Sequence, residues 1–323
     1  MAVSLPGEVV ELLPPGSRAV PLARGKGVWR LDNAAAQPVV LRRRHVAIRI
    51  APAAFAAHVA WVHDFLTLLR SDRVATPQPV PLLHGSSVAV AADAVWEIVS
   101  YVAGQPVGWS RQPAMVTLGA FLGDFHHAST QVAIAGRVGN TVEVAALADA
   151  STWIDLDVGG SAGEIIHHAI DDVRAGLDRI DHLAAERSVI HGDFTNHNVL
   201  AVGAPAVPTG VIDFSNAYSD ATLADVGFAL WRSGRPSQRA LCFDPRRIAA
   251  YVSGYHSVRP LQDEDAETVI VYLQARGLQI AAKQTSRGET VDEPLIARLA
   301  WLHDNLDDLT SSVAQRLRRH DSR

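Results

Sequence analysis

The spacing of apolar positions changes along the chain, and each change predicts an element. Val28, Trp29 and Leu31 follow a pair of glycines and suggest a strand, and residues 38 to 42 suggest another. Residues 32 to 37, Asp-Asn-Ala-Ala-Ala-Gln, are the candidate hairpin turn between them. From 53 to 70, Phe55, Val59, Val62, Leu66 and Leu69 recur at three- and four-residue steps, which predicts a helix. Residues 76 to 85 are punctuated by proline and should be extended, because the residue before a proline avoids the helical region. Ser87 to Ala92 and Ala94 to Tyr101 read as two strands with a turn at Asp93, and Gly104-Gln105-Pro106 breaks the pattern.

Beyond that point helical spacing dominates. Leu118, Phe121, Leu122 and Phe125 give a face to residues 115 to 129, and Ile165, Ile166, Ile170, Val173, Leu177, Ile180 and Leu183 keep a helical period over residues 162 to 186. Further helices are expected over 224 to 231, over 245 to 255, through 276 to 287, and around Trp301 to Leu309. Val189-Ile190, Val199-Leu200 and Val211-Ile212 suit short paired strands. Residues 1 to about 20 and 130 to 160 carry no clean period. The expected fold class is α+β, with a small antiparallel-sheet lobe over 1–101 and a larger, mostly helical lobe over 102–323.

Bulk properties narrow the picture. A chain of 323 residues has room for two domains of ordinary size. With 48% hydrophobic and 20% charged residues its composition is that of a globular protein. The net charge of -5 gives no reason to expect a nucleic-acid partner. Cys242 stands alone, so neither an intrachain disulfide nor an all-cysteine metal site is expected. The first residues show no signal-peptide pattern and no run of 18 apolar residues occurs, so the expectation is a cytoplasmic protein without a membrane partner, either monomer or homodimer.

The candidate chemistry sits in two stretches. Residues 189 to 200 read V-I-H-G-D-F-T-N-H-N-V-L, and residues 210 to 220 read G-V-I-D-F-S-N-A-Y-S-D. Each puts a carboxylate, Asp193 or Asp213, after a short strand-like piece, and Asn198 adds a carboxamide. Carboxylate and carboxamide oxygens suit Mg2+, and a further carboxylate is then free to orient a hydroxyl nucleophile. The blander alternative is a pair of buried strand ends with Asp and Asn capping turns.

The order H-G-D-x-x-x-x-N followed by I-D-F resembles the core signature of the aminoglycoside-phosphotransferase family, with its homoserine- and choline-kinase-like members and its bilobal, protein-kinase-like fold. The resemblance implies ATP and Mg2+ as cofactors, and a nucleoside triphosphate and a small-molecule hydroxyl as partners. It implies Asp193 as the general base or hydroxyl-orienting group, His191 beside it as a brace of the catalytic loop, and Asn198 and Asp213 as Mg2+ ligands. Gly25 and Gly27 resemble a shortened nucleotide-covering loop, and Arg42 stands where the family has its phosphate-binding basic residue. Arg43 and Arg44 then read as a solvated edge-strand cluster, unless the alternation is off by one. The linker that meets adenine through its backbone is expected at Val99 to Val102, including Tyr101.

His58 stands where the family carries a glutamate that pairs with the basic strand residue, so Arg42 must pair elsewhere or the lobe is less ordered. Asp225 is expected to brace the catalytic loop. Trp109, Trp153 and Asp155 are candidate substrate contacts. Arg276 and Lys283 join them because Arg276, Ile280, Lys283 and Arg287 form one edge of a helix. Lining a cleft, that edge would favour a substrate with a carboxylate or phosphate over a polyamine; facing water, it carries no meaning. The functional expectation is phosphorylation of a small-molecule hydroxyl, with a lean to an amino-alcohol or homoserine-like metabolite. The alternatives are an antibiotic-inactivating phosphotransferase and a nucleotide-binding protein that has lost turnover.

Overall fold

Alternating burial builds the first sheet. The computed structural model describes residues 5–23, 27–32, 37–44, 51–108, 114–135, 160–180 and 186–321. Its chain divides into two compact units, Met1–Ala103 with Gly210–Ser215, and Gly104–Thr209 with Asn216–Arg323. In the first unit, β1 (Arg18–Ala23), β2 (Val28–Asp32), β3 (Val39–Arg44), β4 (Val88–Ala91) and β5 (Ala94–Ser100) form an antiparallel sheet in the order β1-β2-β3-β5-β4. Trp29, Leu31, Val39, Leu41, Trp96 and Ile98 put their side chains into one core, with the Trp29 and Trp96 rings stacked 5.6 Å apart. Ala92 and Asp93 both take positive φ, 46° and 54°, the signature of the tight turn that matches strand twist.

β1 is absent from the hydrophobic pattern because Arg-Ala-Val-Pro-Leu-Ala does not alternate, and its place at the sheet edge tolerates Pro21. β3, by contrast, lies inside the sheet, so Arg43 and Arg44 are not an edge cluster. Helix α1 (Pro52–Leu68) starts on Pro52, where the missing N–H costs nothing, and buries Val59, Val62, Phe65 and Leu66. Residues 210 to 215 belong to this unit: Val211 N–H donates to Ala75 O at 2.9 Å, and the Phe214 ring lies 6.4 Å from that of Phe65.

The second unit is mostly helical. Its helices are α2 (Met115–Ser129), α3 (Ser161–Arg179), α4 (Thr222–Ser233), α5 (Pro245–His256), α6 (Asp265–Ser286) and α7 (Glu293–Asp321). β6 (Gln105–Pro106), β8 (Val199–Val202) and β9 (Val207–Val211) form one small sheet. β7 (Arg187–Ile190) pairs with β10 (Tyr218–Ala221), a strand too polar in sequence to predict. α2 and α5 cross without side chains between them. A Cβ on Gly119 would lie 1.9 Å from Tyr251 O, and one on Gly254 would lie 1.9 Å from Val116 O. Among the described residues no helix is long and apolar enough to cross a membrane.

Candidate active site

The loop between β7 and β8 holds the candidate catalytic residues, and a buried carboxylate holds its first turn. Asp225, in the first turn of α4, accepts from His191 N–H at 2.8 Å and from Gly192 N–H at 3.0 Å. Behind it, His126 Nε2 lies 3.2 Å from the same carboxylate and His126 Nδ1 lies 2.9 Å from the Tyr255 hydroxyl. Burial would raise the Asp225 carboxyl, but the hydrogen bond and charge of His126 outweigh it and hold it below its usual range. His191 is fully buried, its ring edge-on to Phe125 and Phe194, and its Nδ1 accepts from Asp193 N–H at 3.2 Å. These contacts make it a brace.

Gly192 has φ of 71°, and a Cβ there would lie 2.3 Å from Asn216 O. Gly192→Ala should therefore cost about 1–3 kcal/mol of stability through backbone strain alone. A thermal midpoint equal to the parent's would contradict this account of the turn.

Asn198 locks the functional end of the loop. Its Nδ2 donates to Asp193 O at 2.9 Å and to Asp193 Oδ2 at 3.0 Å. With the amide nitrogen so committed, Asn198 presents its Oδ1 as an acceptor. Arg276 Nη2 lies 3.4 Å from the other Asp193 oxygen, and its guanidinium stacks 5.3 Å from the Phe228 ring centre. Arg232 donates to His197 Nε2; burial lowers its pKa and the Asp193 charge partly offsets this. Lys283, largely exposed on α6, feels both Asp193 and Arg276. The basic edge seen in the sequence thus adjoins Asp193. Arg232 and Phe228 carried no sequence signal beyond their place in a helix.

In the first unit, two arginines converge on Asp213. Arg44 Nη1 lies 2.5 Å and Arg42 Nη2 2.9 Å from Asp213 Oδ1, and the Ser215 hydroxyl donates to the same oxygen at 2.8 Å. Burial would raise the Asp213 carboxyl, but Arg44 and Arg42 hold it well below the ordinary carboxylate range. Asp213 itself has φ of 68°, a left-handed conformation that Asp tolerates better than most residues.

The second carboxylate of this cluster comes from β5. Arg44 Nη2 sits 2.6 Å from Glu97 Oε1 as an ion pair off the hydrogen-bonding angle, and Arg42 Nη1 sits 3.7 Å away. His63 joins Glu97 at 2.8 Å to the Ser87 hydroxyl at 2.6 Å. Burial pushes the Glu97 carboxyl up; Arg44, His63 and Arg42 more than reverse this and bring it to about 2. Glu97 was missed in sequence, although one acid inside the apolar run from Ala94 to Val99 was the available signal.

Several expectations need correction. Arg44 is buried and shares a sheet face with Arg42, while Arg43 points to the opposite, exposed face. His58 is buried: its Nε2 lies 3.1 Å from Ser215 O, and its ring stacks between Phe55 and Trp61. The arginines find their carboxylate in Glu97 instead. At Val99 and Tyr101 the N–H groups are used within the first unit, which leaves a backbone contact with adenine over 99–102 to the other backbone atoms. Tyr101 N–H donates to Pro38 O at 2.9 Å, and Val99, opposite Val40 two residues back, falls on the next hydrogen-bonded pair of that ladder. Gly27 turns the chain into β2 and accepts from Arg43 N–H at 2.7 Å. Gly25, Trp109, Trp153 and Asp155 lie outside the described residues.

Asn198 Oδ1 in the second unit and the Asp213 carboxylate in the first are each a hard oxygen donor of the kind Mg2+ prefers. Among the described residues no cluster of three or more His, Cys, Asp or Glu side chains suited to a metal occurs.

An antiparallel-sheet unit with a buried arginine–carboxylate pair, and a helical unit with an HGD loop closed by asparagine, define a protein of the protein-kinase-like fold. Residues 27–261 match the phosphotransferase enzyme family, and the chain belongs to it. A homoserine kinase of Methylobacillus flagellatus is 27% identical over 208 residues, 62% of this chain and 60% of that protein. The match thus spans less than two thirds of that relative's length. Among solved structures, a microcompartment-associated aminopropanol kinase is similar with a TM-score of 0.67 at 20% identity, over 96% of this chain and 97% of that one. An amicoumacin kinase in complex with AMP-PNP, Ca2+ and its ligand is similar with a TM-score of 0.66 at 16% identity, over 93% and 91%.

Proposed function

We propose that this protein transfers the terminal phosphoryl group of ATP to a hydroxyl of a small molecule. The observation that carries the reading is the Asp193 carboxylate, pinned by Asn198 on a loop whose amides Asp225 holds. Phosphoryl transfer asks little covalent chemistry of a protein; it asks for position and charge. Asp193 aims the acceptor hydroxyl and takes its proton. Arg42, on β3, offers a guanidinium fork to nucleotide phosphate oxygens. Asn198 Oδ1 and Asp213 are the donors assigned to Mg2+, which when bound neutralises charge on the nucleotide's phosphates. His191, Asp225 and His126 hold the loop and touch no reacting atom.

Two acceptor classes remain in play. An antibiotic acceptor draws the broader support, from the amicoumacin kinase and from aminoglycoside phosphotransferases that share the fold over most of both chains. An amino-alcohol or homoserine-like metabolite draws it from the homoserine kinase and aminopropanol kinase relatives. The test is ADP release with MgATP over a panel of both classes. Turnover of at least one acceptor is expected, and MgATP binding with no turnover across the panel would favour the lapsed-enzyme reading.

The metal assignment has its own test in nucleotide binding. In Asp213→Ala, Mg2+ should no longer tighten ATP binding measured by calorimetry. Affinity for metal-free ATP should hold or rise, because Arg42 and Arg44 lose a competing carboxylate. A normal Mg2+ effect in this variant would refute the assignment.

A further inference from the structure

We propose that the acceptor carries a negatively charged group, a carboxylate or a phosphate, held by Arg276, Arg232 and Lys283 beside Asp193. The inference rests on the phosphotransferase reading, and it narrows both acceptor classes by charge.

The observations lie within the second unit. Arg276 and Lys283 are two helical turns apart on α6, so they share an edge. Arg232 comes from α4, one turn after Phe228. Phe228 supports the flat face of Arg276 at 5.3 Å and leaves the guanidinium edge directed at Asp193 Oδ1, 3.4 Å away. Arg232 is steadied by His197, the residue just before Asn198 in the catalytic loop. Arg276 and Arg232 are therefore built into place from two helices and the loop, and the exposed Lys283 adds a charge on the same edge.

Among the described residues, Arg276 and Arg232 share one carboxylate, Asp193. Asp220, buried on β10, is 3.3 Å from Arg187. Asp225 is spent on His126 and two backbone amides. Asp193 lies 3.4 Å from Arg276, and its charge also acts on Arg232 and Lys283. Burial lowers the pKa of Arg232, and burial with the neighbouring Arg287 and Arg276 charges lowers that of Lys283. Two partly buried arginines beside the position of a reacting hydroxyl favour a ligand that brings a further anion. The same field opposes a polycation such as an aminoglycoside. A carboxylate or phosphate also matches the planar fork of Arg276, so the subsite would orient its ligand as well as attract it.

Calorimetry on the full chain saturated with Mg2+ and AMP-PNP tests this. The nucleotide's own terminal phosphate is then in place, so an anion that still binds is not replacing it. The probes are pairs that differ in charge: 4-hydroxybutyrate with 4-hydroxybutyramide, L-homoserine with L-homoserinamide, and glycerol 3-phosphate with glycerol, together with kanamycin. At least one anionic probe should bind tenfold or more tightly than its partner, and kanamycin should bind more weakly than that anion. Changing Arg276→Gln and Lys283→Gln together should erase most of that tenfold preference, with the unfolding midpoint reporting that the variant is folded. A preference that survives both changes, neutral or cationic probes that bind as well, or no binding by any anionic probe would each overturn the proposal. Binding of an anion that is never phosphorylated when MgATP replaces AMP-PNP would instead count against the phosphotransferase reading alone.

Discussion

Asp193→Asn should lower kcat about a thousandfold, within the range that positioned acid–base groups contribute, and leave MgATP affinity within about threefold. The substitution keeps shape and removes the ability to take a proton. Asn198 Nδ2 can still donate to the backbone oxygen of residue 193 and to a side-chain carbonyl, so the loop keeps its closure. The anchors further back, from Asp225 to His191 and Gly192 N–H, are untouched. Arg276 loses the charge it faces at 3.4 Å, a partly exposed pair whose loss has little weight in stability. Single-turnover kinetics with a turned-over acceptor, alongside calorimetric nucleotide binding, separate the effects. Retained turnover would remove Asp193 from its role, and loss of both turnover and binding would point to a broader structural failure.

The second large effect falls on stability. Glu97→Gln should destabilise the first unit by about 3 kcal/mol, because breaking a buried ion pair leaves an uncompensated charge in the interior. Glu97 and Arg44 are 2% and 8% exposed, so water does little to replace the lost partner. Asp213 still neutralises part of Arg44, which keeps the loss at the lower end of the usual range. The pH dependence has a definite sign. The folded carboxyl titrates at about 2 against an ordinary value of 4.5, so between these values the folded state binds fewer protons than the unfolded. Stability from this group is complete above about pH 4.5 and is lost as pH falls toward about 2. Urea unfolding at pH 7 and at pH 4 should show a smaller gap between parent and variant at the lower pH. An equal gap at both would mean that Glu97 does not act through its charge.

Sequence periodicity read the long helices well, because each has one apolar face set by packing. It also placed Asp193, Asn198 and Asp213 on loops after short strands, since strand and loop there differ sharply in polarity. Contacts between residues far apart in sequence were less legible. Arg44 was taken for an edge residue because strand order is not written in any one strand, and only the pairing of β3 with β5 shows it to be central. Glu97 then becomes intelligible as the acid that sits across from Arg42 in the ladder and reaches Arg44. His58 looked like a lost ion-pair partner; in the fold it supports the backbone after Asp213. β10 was missed because Tyr-Ser-Asp-Ala has neither apolar character nor alternation, and its strand state comes from pairing with β7.

The bare crossing of α2 and α5 is continuous with the support of the loop that bears Asp193. Gly119 and Gly254 leave no slack where the two backbones touch, and Gly123, one turn on, still packs against Tyr255 and Val258. Tyr255 meets His126 at 2.9 Å, His126 meets Asp225, and Asp225 accepts from the amides of His191 and Gly192. Two glycines that look like ordinary helix packing thus stand at the back of a chain of contacts that ends beside Asp193.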